Sequence, residues 1–417
     1  MSLLESIPNI ITIVFFIVVL SYYVLLFIKK KKPKLVRKFN SISVIIPAHN
    51  EERYIAQCIK SVIKARFHGE KEIIVVDDGS KDKTSEIALK FPEVKLIKTP
   101  HTGKSASINQ AISVSKGELI AIVDGDSVIS EDALIYTTKE VERKNVAAAS
   151  CVIKVKNRKR FICMWFDLEQ LYNSLIRQIF SKLNANIVTP GPLGVYRKKE
   201  LLGVGGFSVK GFSEDIDITI RLIRKGYKIG FSSKAIAETN MPYKPKGVLR
   251  QRTRFARGII DIFKKHLKIN TAIIDIYTLP LFLFNYVQAV IMGSFTIYQV
   301  VDGYTKYFLA KGIYFSPLVL KFFFEWFSIL GFFKWTISVL AGQTPLTLIA
   351  VVGIISTLLT YPLYIYAILK YSKKFDFIHI FALFFMAPFW LLIMFIYIIS
   401  LPEYFKKDQH NIWKKNE

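Results

Sequence analysis

The stretch that decides the fold is Leu119-Ile120-Ala121-Ile122-Val123-Asp124-Gly125-Asp126. A short run of aliphatic and β-branched residues is typical of a buried central strand, and the acidic tripeptide after it indicates a turn. Residues i and i+2 of an extended chain project to the same side, so Asp124 and Asp126 would face one ligand. Carboxylates at the carboxyl end of a parallel strand suit Mg²⁺ or Mn²⁺, which in turn suits a diphosphate. By itself, such a tripeptide more often marks only an ordinary strand-to-turn connection.

Composition indicates apolar segments that need a bilayer. The chain has 417 residues, and 52% of them are hydrophobic, more than a soluble protein usually contains. The formal net charge of +26 is compatible with nucleic acid, but the cations lie beside apolar segments, so anionic lipid is expected and nucleic acid is not. Cys58, Cys151 and Cys163 lack metal-ligand spacing, and an odd number argues against a disulfide framework. A reducing cytosolic compartment is therefore expected for the soluble part.

The N-terminal segment predicts a membrane span. Residues 6–28 carry no charge and are long enough to cross a bilayer. A signal peptide is the competing interpretation, but the apolar region is too long, and the basic cluster at residues 29–38 follows it rather than precedes it. The positive-inside rule places this cluster and the residues after it in the cytoplasm.

Residues 39–245 alternate predicted strands with predicted helices. Strands are expected at 43–47, 72–76, 94–97, 119–123 and 146–155. Strand, helix and strand at this spacing predict an α/β fold with a parallel, doubly wound sheet. Polar clusters follow several strands, at the edge where such sheets bind ligands. The segment 187–196 is too rich in glycine and proline for regular structure.

The C-terminal part of the chain predicts further membrane spans. Residues 276–301 and 377–401 carry no charge, and a third uncharged span lies within 335–369. Charged residues interrupt 313–334, which is predicted either to span or to lie along the surface. Three to four C-terminal spans are therefore expected, and four would leave the C-terminus in the cytoplasm.

Six short motifs occur in a fixed order along the chain. They are Ile46-Pro47-Ala48-His49-Asn50-Glu51, Asp77-Asp78-Gly79-Ser80, His101-Thr102-Gly103-Lys104, Asp124-Gly125-Asp126, Ser213-Glu214-Asp215, and Gln251 to Phe255. Together, between an N-terminal span and a C-terminal membrane region, they resemble the family 2 glycosyltransferases. The likeness is to the membrane-embedded branch that includes cellulose, hyaluronan and poly-N-acetylglucosamine synthases.

The resemblance covers residues 40–260 by motif and implies a GT-A, Rossmann-like transferase domain for nucleotide-diphospho-sugars. This domain would be inserted between one N-terminal and three to four C-terminal transmembrane helices. The implied divisions are a span and basic linker at 1–38, a cytosolic glycosyltransferase domain at 39–249, interfacial amphipathic helices at 250–272, and a membrane region at 273–417.

The resemblance also implies a binding site for a UDP-sugar donor. Asp77 would hydrogen-bond the uracil ring, and Asn50, Glu51 and Asp78 would belong to the same nucleotide pocket. Lys104 would bind phosphate at a helix start, where backbone N–H groups also favour an anion.

The diphosphate end of that donor is assigned in the same way. Asp126, and after it Asp124, would ligate the Mg²⁺ or Mn²⁺ that offsets charge on the departing nucleoside diphosphate. Gln251 and Arg254 correspond to the family's Gln-x-x-Arg-Trp motif, and a guanidinium fork suits a diphosphate. Phe255 stands where the synthases have tryptophan, so the stacking face remains while the indole N–H donor is missing.

The tripeptide Ser213-Glu214-Asp215 stands in place of the family's Thr-Glu-Asp motif. Asp215 would take the proton from an acceptor hydroxyl, and Glu214 would orient it. One base serves a direct displacement, so inversion is expected. The residues alone are equally those of a helix N-cap with an acidic first turn. Asp217 is expected to be solvated, and His49 is expected to be a loop histidine.

Three functions are compatible with the motifs. The first is a processive synthase that elongates a β-polysaccharide and extrudes it. The second is the transfer of one sugar to a lipid acceptor, a polyprenyl phosphate or a glycolipid, which Phe255 favours. The third is an inactive scaffold, which has no reason to keep Asp77, Asp124, Asp126 and Asp215 together. Either enzyme is expected in the plasma membrane, with several spans and a cytoplasmic catalytic domain.

Overall fold

The computed structural model describes residues 3–29, 33–268, 271–372 and 374–402. The strands are β1 (Ser41–Ala48), β2 (Glu70–Asp78), β3 (Val94–Thr99), β4 (Leu119–Ile122), β5 (Ser127–Ile129), β6 (Val146–Val155), β7 (Gly194–Arg197) and β8 (Lys228–Thr239). The helices are α1 (Leu3–Phe27), α2 (Ile55–Lys64), α3 (Thr84–Ala88), α4 (Lys104–Val114), α5 (Ala133–Val141), α6 (Cys163–Ser181), α7 (Lys198–Gly203), α8 (Glu214–Arg224), α9 (Pro245–His266), α10 (Leu279–Tyr307), α11 (Pro317–Phe327), α12 (Ile329–Leu340), α13 (Leu348–Tyr371), α14 (Phe377–Phe384) and α15 (Met386–Ser400). A π-helical turn, Ile274–Thr278, precedes α10.

The chain divides into two compact units. One contains Lys29–Leu279 and, with it, all the strands named above. The other contains the residues up to Ile28 together with Pro280–Pro402, and its named elements are helices. The residues predicted to bind and transfer a sugar lie in the first unit.

The strands named above form one mixed sheet in the order β3-β2-β1-β4-β7-β6-β8-β5. β1 pairs in parallel with β2 and β4, and β2 pairs in parallel with β3, so this half is doubly wound as predicted. The direction of winding changes between β1 and β4. A crevice at such a switch point is where doubly wound sheets bind their ligands.

The core follows from the apolar sequences of the central strands. Every residue of β4 is buried, and every residue of β1 after Ser41 is buried as well. Helix α2 packs Ile55, Ile59 and Val62 into the same core, the spacing of an amphipathic helix. Burying each side chain of this size stabilises the fold by roughly 1.5–3 kcal/mol.

The other half of the sheet is mixed, which corrects the prediction of parallel pairing throughout. β6 pairs in parallel with β8, whereas β7 runs antiparallel to both β4 and β6, and β5 runs antiparallel to β8. β7 begins inside 187–196, for which the sequence predicts no regular structure. Gly194 to Arg197 form a strand because β4 and β6 offer backbone partners on both sides, and this tertiary pairing overrides local composition.

Apolar helices precede and follow the α/β domain in the sequence, as predicted. In the described ranges, the helices long and apolar enough to cross a membrane are Ser6–Phe27, Ile274–Lys311 and Leu348–Tyr371. Two further pairs of helices are each bent at a short break, and they raise the number of candidate spans from three to five if each pair is one span. The helices Pro317–Phe327 and Ile329–Leu340 meet at a bend of 87°, and Phe377–Phe384 and Met386–Ser400 meet at a bend of 60°. These helices identify a membrane protein with apolar segments at both ends of the chain.

The segment 313–334, whose placement the sequence leaves open, contains the sharper bend. Ser328 separates α11 from α12, and the turn there brings Lys334 Nζ to 2.8 Å from Glu325 Oε2. Part of the predicted basic cluster (30–32) and the C-terminal tail (403–417) lie outside the described residues.

Candidate active site

The carboxyl ends of β1, β2 and β4 carry the acidic residues predicted to bind a donor. Behind this edge lies the buried thiol of Cys58, and its pKa is raised because burial disfavours the thiolate. Nearby negative charges raise that pKa further, and they belong to Asp126, Glu51 and Asp124. Carboxylates from two different loops therefore converge at one place on the sheet edge.

Lys104 joins the end of β4 to the start of α8. Its Nζ lies 2.7 Å from Asp124 Oδ1 and 3.2 Å from Glu214 Oε1. The side chains of Lys104 and Glu214 are each only 13% exposed, so these charges interact with little screening by water. Burial lowers the pKa of Lys104, but attraction by Asp124 and Glu214 outweighs it and raises that pKa above its usual value. Lys104 therefore remains a cation that offsets both carboxylates.

Glu214 and Asp215 have pKa values shifted in opposite directions. Burial, and then the charge of Glu214, raise the pKa of Asp215 to about 7. Burial also disfavours ionised Glu214, but the cations of Lys104 and Arg254 outweigh that effect and lower its pKa. The pair thus supplies one permanent anion and one group that can accept a proton near neutral pH.

Asp126 lies beside the end of β8. Its Oδ1 accepts a hydrogen bond from Thr239 Oγ1 at 3.3 Å, and its carbonyl oxygen accepts one from Asn240 Nδ2 at 3.1 Å. The hard oxygen donors of Asp124 and Asp126 fit Mg²⁺ or Mn²⁺. Each carboxylate already has a partner at one oxygen, since Lys104 pairs with Asp124 Oδ1 and Thr239 donates to Asp126 Oδ1.

Asp77 and Asn50 form hydrogen bonds within the loops that follow β2 and β1, where the nucleotide is predicted to bind. Asp77 accepts hydrogen bonds from Ser80 N at 2.8 Å and from Ser85 Oγ. Asn50 adopts a left-handed backbone with φ of 55°, and its N–H donates to Ser80 Oγ at 2.9 Å. Glu51, the next residue, is buried. The loops after β1 and β2 are therefore one hydrogen-bonded unit.

Asp78 has a position that does not fit the donor contact predicted for it. Its carboxylate is fully buried and accepts hydrogen bonds from Thr102 N at 2.9 Å, Gly103 N at 3.0 Å and Ser107 Oγ at 2.7 Å. Burial alone would raise the pKa of Asp78, but these hydrogen bonds outweigh burial and lower it. Asp78 therefore fixes the loop that leads into Lys104, and it offers no surface to a ligand.

His49 and His101 come together although neither has a ligand partner nearby in sequence. Their rings stack with centroids 4.2 Å apart, and their Nδ1 atoms lie 2.8 Å and 3.0 Å from the carbonyl oxygen of Asp78. With the Asp78 carboxylate, their possible ligand atoms fall within 4.8 Å of one another. Both Nδ1 atoms converge on the backbone carbonyl oxygen of Asp78, which can only accept, so each Nδ1 carries a proton and has no lone pair for a metal ion. The geometry therefore favours hydrogen bonding over metal ligation.

The loop before β7 packs directly on Asp124. The N–H of Asp124 donates to the Gly191 carbonyl at 3.1 Å, and a β-carbon at Gly191 would lie 2.4 Å from Asp124 Oδ2. The next contact ties the loop to α8, since Thr219 Oγ1 donates to Thr189 Oγ1 at 3.0 Å. The sequence does not predict these contacts, and a glycine between two prolines is the signal that could have indicated a close approach.

Changing Gly191 to alanine should displace the Asp124 carboxylate and the Lys104 that pairs with it. We expect kcat/KM to fall by about 100-fold, the cost of a misplacement of roughly 1 Å at a reacting centre. Gly203→Ala is the matched control, because a β-carbon at Gly203 meets nothing within 4 Å. Steady-state kinetics with the nucleotide-sugar donor would test this, and equal activity of the two variants would contradict the assigned contact.

Helix α9 carries the predicted Gln251, Arg254 and Phe255. The charge of Arg254 acts on Glu214, which places this guanidinium at the acidic cluster. Phe255 is 37% exposed, and the centre of its ring lies 5.6 Å from the Arg254 guanidinium carbon. Gln251 Nε2 instead donates to the sulfur of Met241, at 3.7 Å, in the segment after β8.

Two further contacts of α9 are missing from the sequence prediction. Arg252 donates to both carboxylate oxygens of Glu169 on α6, and its guanidinium lies 4.4 Å from the centre of the Phe166 ring. A β-carbon at Gly258 would lie 2.0 Å from Ser213 Oγ, so α9 touches the residue that precedes α8. The glycine in this basic helix is a local signal for the contact with Ser213. The contact between Arg252 and Glu169 joins residues distant in sequence, so no local signal indicates it.

Comparison with known proteins identifies the family of the α/β domain. Residues 43–201 match the family model described as Glycosyl transferase family 2. This region is a glycosyl transferase family 2 domain. The matched residues run from β1 into α7 and include Asp77, Lys104, Asp124 and Asp126. Asp215 and α9 lie beyond the matched part of the family 2 domain.

Curated relatives match about half of the chain. The probable glycosyltransferase YdaM of Bacillus subtilis is 31% identical over 235 residues, which cover 54% of this chain and 56% of the relative. The poly-beta-1,6-N-acetyl-D-glucosamine synthase of Staphylococcus epidermidis is 26% identical over 230 residues, covering 53% and 55%. The chain therefore spans about half the length of the curated relatives it matches.

A solved structure is similar over nearly the whole chain. It is the mannosyltransferase PcManGT of Pyrobaculum calidifontis in complex with GDP-Man and Mn²⁺, with a TM-score of 0.61 and 17% identity, covering 97% of this chain and 99% of that one. At this identity the likeness concerns the fold alone.

Proposed function

We propose that this protein is an inverting, metal-dependent membrane glycosyltransferase that uses a UDP-sugar and elongates a β-linked polysaccharide. Support comes from the family 2 domain, from relatives named as poly-N-acetylglucosamine synthases, and from apolar helices at both ends of the chain. The basic cluster after the first span favours the plasma membrane as the location of the protein, with the family 2 domain on its cytoplasmic side. The acceptor is the growing glycan.

The observation that carries the proposal is the environment of Asp215. Its pKa is raised to about 7, while the adjacent Glu214 is held ionised by Lys104, which also pairs with Asp124. Burying several like charges in one cleft lowers the stability of the folded state, so such a cluster indicates a function that offsets this cost. A scaffold without activity gains nothing from this arrangement, whereas a transferase gains a base, an orienting anion and a phosphate site.

The donor is proposed to lie across the switch point of the sheet. Asp77, with Asn50 and Glu51, would recognise the nucleoside end, where their loops form one hydrogen-bonded unit. Lys104 at the start of α4 and Arg254 on α9 would bind the diphosphate, because a helix N-terminus and a guanidinium both favour phosphate oxygen. A divalent metal bound near Asp126 would offset the charge of the leaving diphosphate.

The transfer step needs one proton acceptor. The acceptor hydroxyl oxygen attacks the anomeric carbon, the bond from that carbon to the diphosphate oxygen breaks, and the hydroxyl proton passes to Asp215. Glu214 remains ionised and orients Asp215 through its charge. Attack opposite the leaving group inverts the anomeric centre, so an α-linked donor gives a β-linked product.

Asp126→Asn should weaken metal-dependent donor binding. We expect the Kd for UDP with Mn²⁺ to rise about tenfold or more, because metal sites lose affinity on this scale when their surroundings are altered. Isothermal titration of the detergent-solubilised protein with UDP, with and without Mn²⁺, measures this. Asp132→Asn is the matched control, since Asp132 forms a surface ion pair with Arg66. If Asp126→Asn binds UDP as the wild type does, both with and without Mn²⁺, Asp126 does not bind the metal ion.

A second candidate is the transfer of one sugar to a lipid acceptor such as a polyprenyl phosphate or a glycolipid. Phe255 favours it, because the ring is exposed and lacks the N–H donor of the tryptophan found in the synthases. A phenyl face still stacks on a sugar but holds it with one contact fewer. A weaker hold on the chain end would favour release after one addition over repeated addition.

One experiment separates these functions. Membranes containing the protein are incubated with a panel of radiolabelled nucleotide sugars that includes UDP-N-acetylglucosamine, UDP-glucose and GDP-mannose, and the products are sized. A UDP-dependent polymer supports the synthase, and a single labelled lipid supports the second candidate. Transfer from GDP-mannose alone would show that the donor is not a UDP-sugar. Absence of transfer from every donor tested would support an inactive scaffold instead.

A further inference from the structure

Asp217 is buried, although its position two residues after Asp215 on an acidic helix predicts a solvated residue. Its side chain and that of His266 are each 9% exposed. His266 Nε2 lies 2.9 Å from Asp217 Oδ1, and Arg221 Nε lies 2.8 Å from Asp217 Oδ2. Asp217 therefore joins α8, which begins with the base, to the last turn of α9, which carries Arg254.

The contact is a hydrogen bond from the His266 ring to the Asp217 carboxylate. Within the described parts of the chain, His266 Nδ1 is buried and has no hydrogen-bond partner, so the proton lies on Nε2, which donates to Asp217. Burial raises the pKa of Asp217, but the hydrogen bond from His266 and the charge of Arg221 outweigh it and lower that pKa. Asp217 is thus an ionised acceptor fixed from two sides.

The same two helices meet at two other places. Gly258 of α9 approaches Ser213 so closely that a β-carbon would lie 2.0 Å from the serine Oγ. Arg224 at the end of α8 donates to the carbonyl oxygen of His266 at 2.7 Å. The Asp217–His266 hydrogen bond is thus a third contact between the same two segments, beside those of Gly258 and Arg224.

We propose that His266 and Asp217 are positioning residues, which hold α8 against α9 so that Asp215 and Arg254 keep the separation that sugar transfer needs. This inference rests on the proposed function, in which Asp215 accepts the proton and Arg254 binds the diphosphate. Neither His266 nor Asp217 touches the donor in this arrangement. Their effect acts on the transition state, where base and diphosphate must be aligned at the same time.

The test compares side chains that keep or remove the donor at His266. His266→Leu removes it, whereas His266→Gln places an amide N–H near the former Nε2. We expect His266→Leu to lower kcat by about tenfold or more with donor KM changed less than about threefold, and His266→Gln to recover most of the loss, since a misplaced base slows the chemical step. His68→Leu is the matched control, because His68 is exposed.

A role in folding alone would give a different pattern. It would lower the amount of folded protein without changing kcat per folded molecule, and that result would overturn the inference. If His266→Leu does not fold, His266→Asn, whose amide is too short to reach Asp217, takes its place, and equal kcat for the asparagine and glutamine variants would also overturn it. Failure of the wild type to transfer any sugar would instead reject the proposed function.

Discussion

Asp215→Asn is expected to lower kcat by about 10²–10⁴-fold, the contribution of a general base, while donor affinity stays within about threefold of the wild type. Asparagine has nearly the same shape but cannot accept the acceptor's proton. The pKa of about 7 for Asp215 adds a second expectation. Only the ionised carboxylate is a base, so kcat/KM of the wild type should rise with pH through about 7 and then level off.

The measurement pairs Asp215→Asn with Asp126→Asn. Release of UDP is followed from pH 5.5 to 9, and Kd for UDP with Mn²⁺ is measured by calorimetry for both variants. We expect Asp215→Asn to lose turnover but keep UDP binding, and Asp126→Asn to lose UDP binding. Normal turnover by Asp215→Asn, or a pH profile identical to that of the wild type, would show that another group accepts the proton.

Lys104→Met is expected to have the second largest effect. Its ammonium pairs with Asp124 and Glu214, and removing one partner of a largely buried ion pair costs about 3–5 kcal/mol because the remaining charges are uncompensated. The melting temperature should fall, and Kd for the donor should rise about tenfold or more as the phosphate contact is lost. The charge of Lys104 also lowers the pKa of Asp215, so the rise of kcat/KM should move to higher pH.

Lys116→Met is the matched control for this prediction. Lys116 follows the same helix, α4, and is exposed, so its charge is solvated in the folded protein. The control should retain the donor affinity, melting temperature and pH profile of the wild type. A Lys104→Met variant that behaves like the control would mean that the ion pairs of Lys104 have no role in binding or catalysis.

The sequence predicts the donor half of the site because that half depends on local signals. Aliphatic runs that end in Asp77 and Asp124 indicate parallel strands, and the carboxyl ends of neighbouring parallel strands must share an edge. The start of α4 at Lys104 is likewise marked by the preceding glycine. The resemblance to family 2 glycosyltransferases assigns roles to these residues, and the fold confirms the α/β class that it implies.

The remaining features depend on contacts between distant parts of the chain. β7 forms in a segment rich in glycine and proline because β4 and β6 supply its backbone partners. His49 and His101 stack because both bind the carbonyl oxygen of Asp78. Asp217 is buried because α9 covers it with His266. Spacing and periodicity describe single elements, so they carry no information about which elements pack together.

Crystals grown with UDP and Mn²⁺ and measured at the manganese absorption edge would show directly whether the carboxylates at the carboxyl ends of β1, β2 and β4 form the donor site. We expect an anomalous peak at coordination distance from the Asp126 carboxylate, with the diphosphate extending towards Lys104 and Arg254. A peak at His49, Asp78 and His101, or a nucleotide bound away from the strand ends, would contradict it.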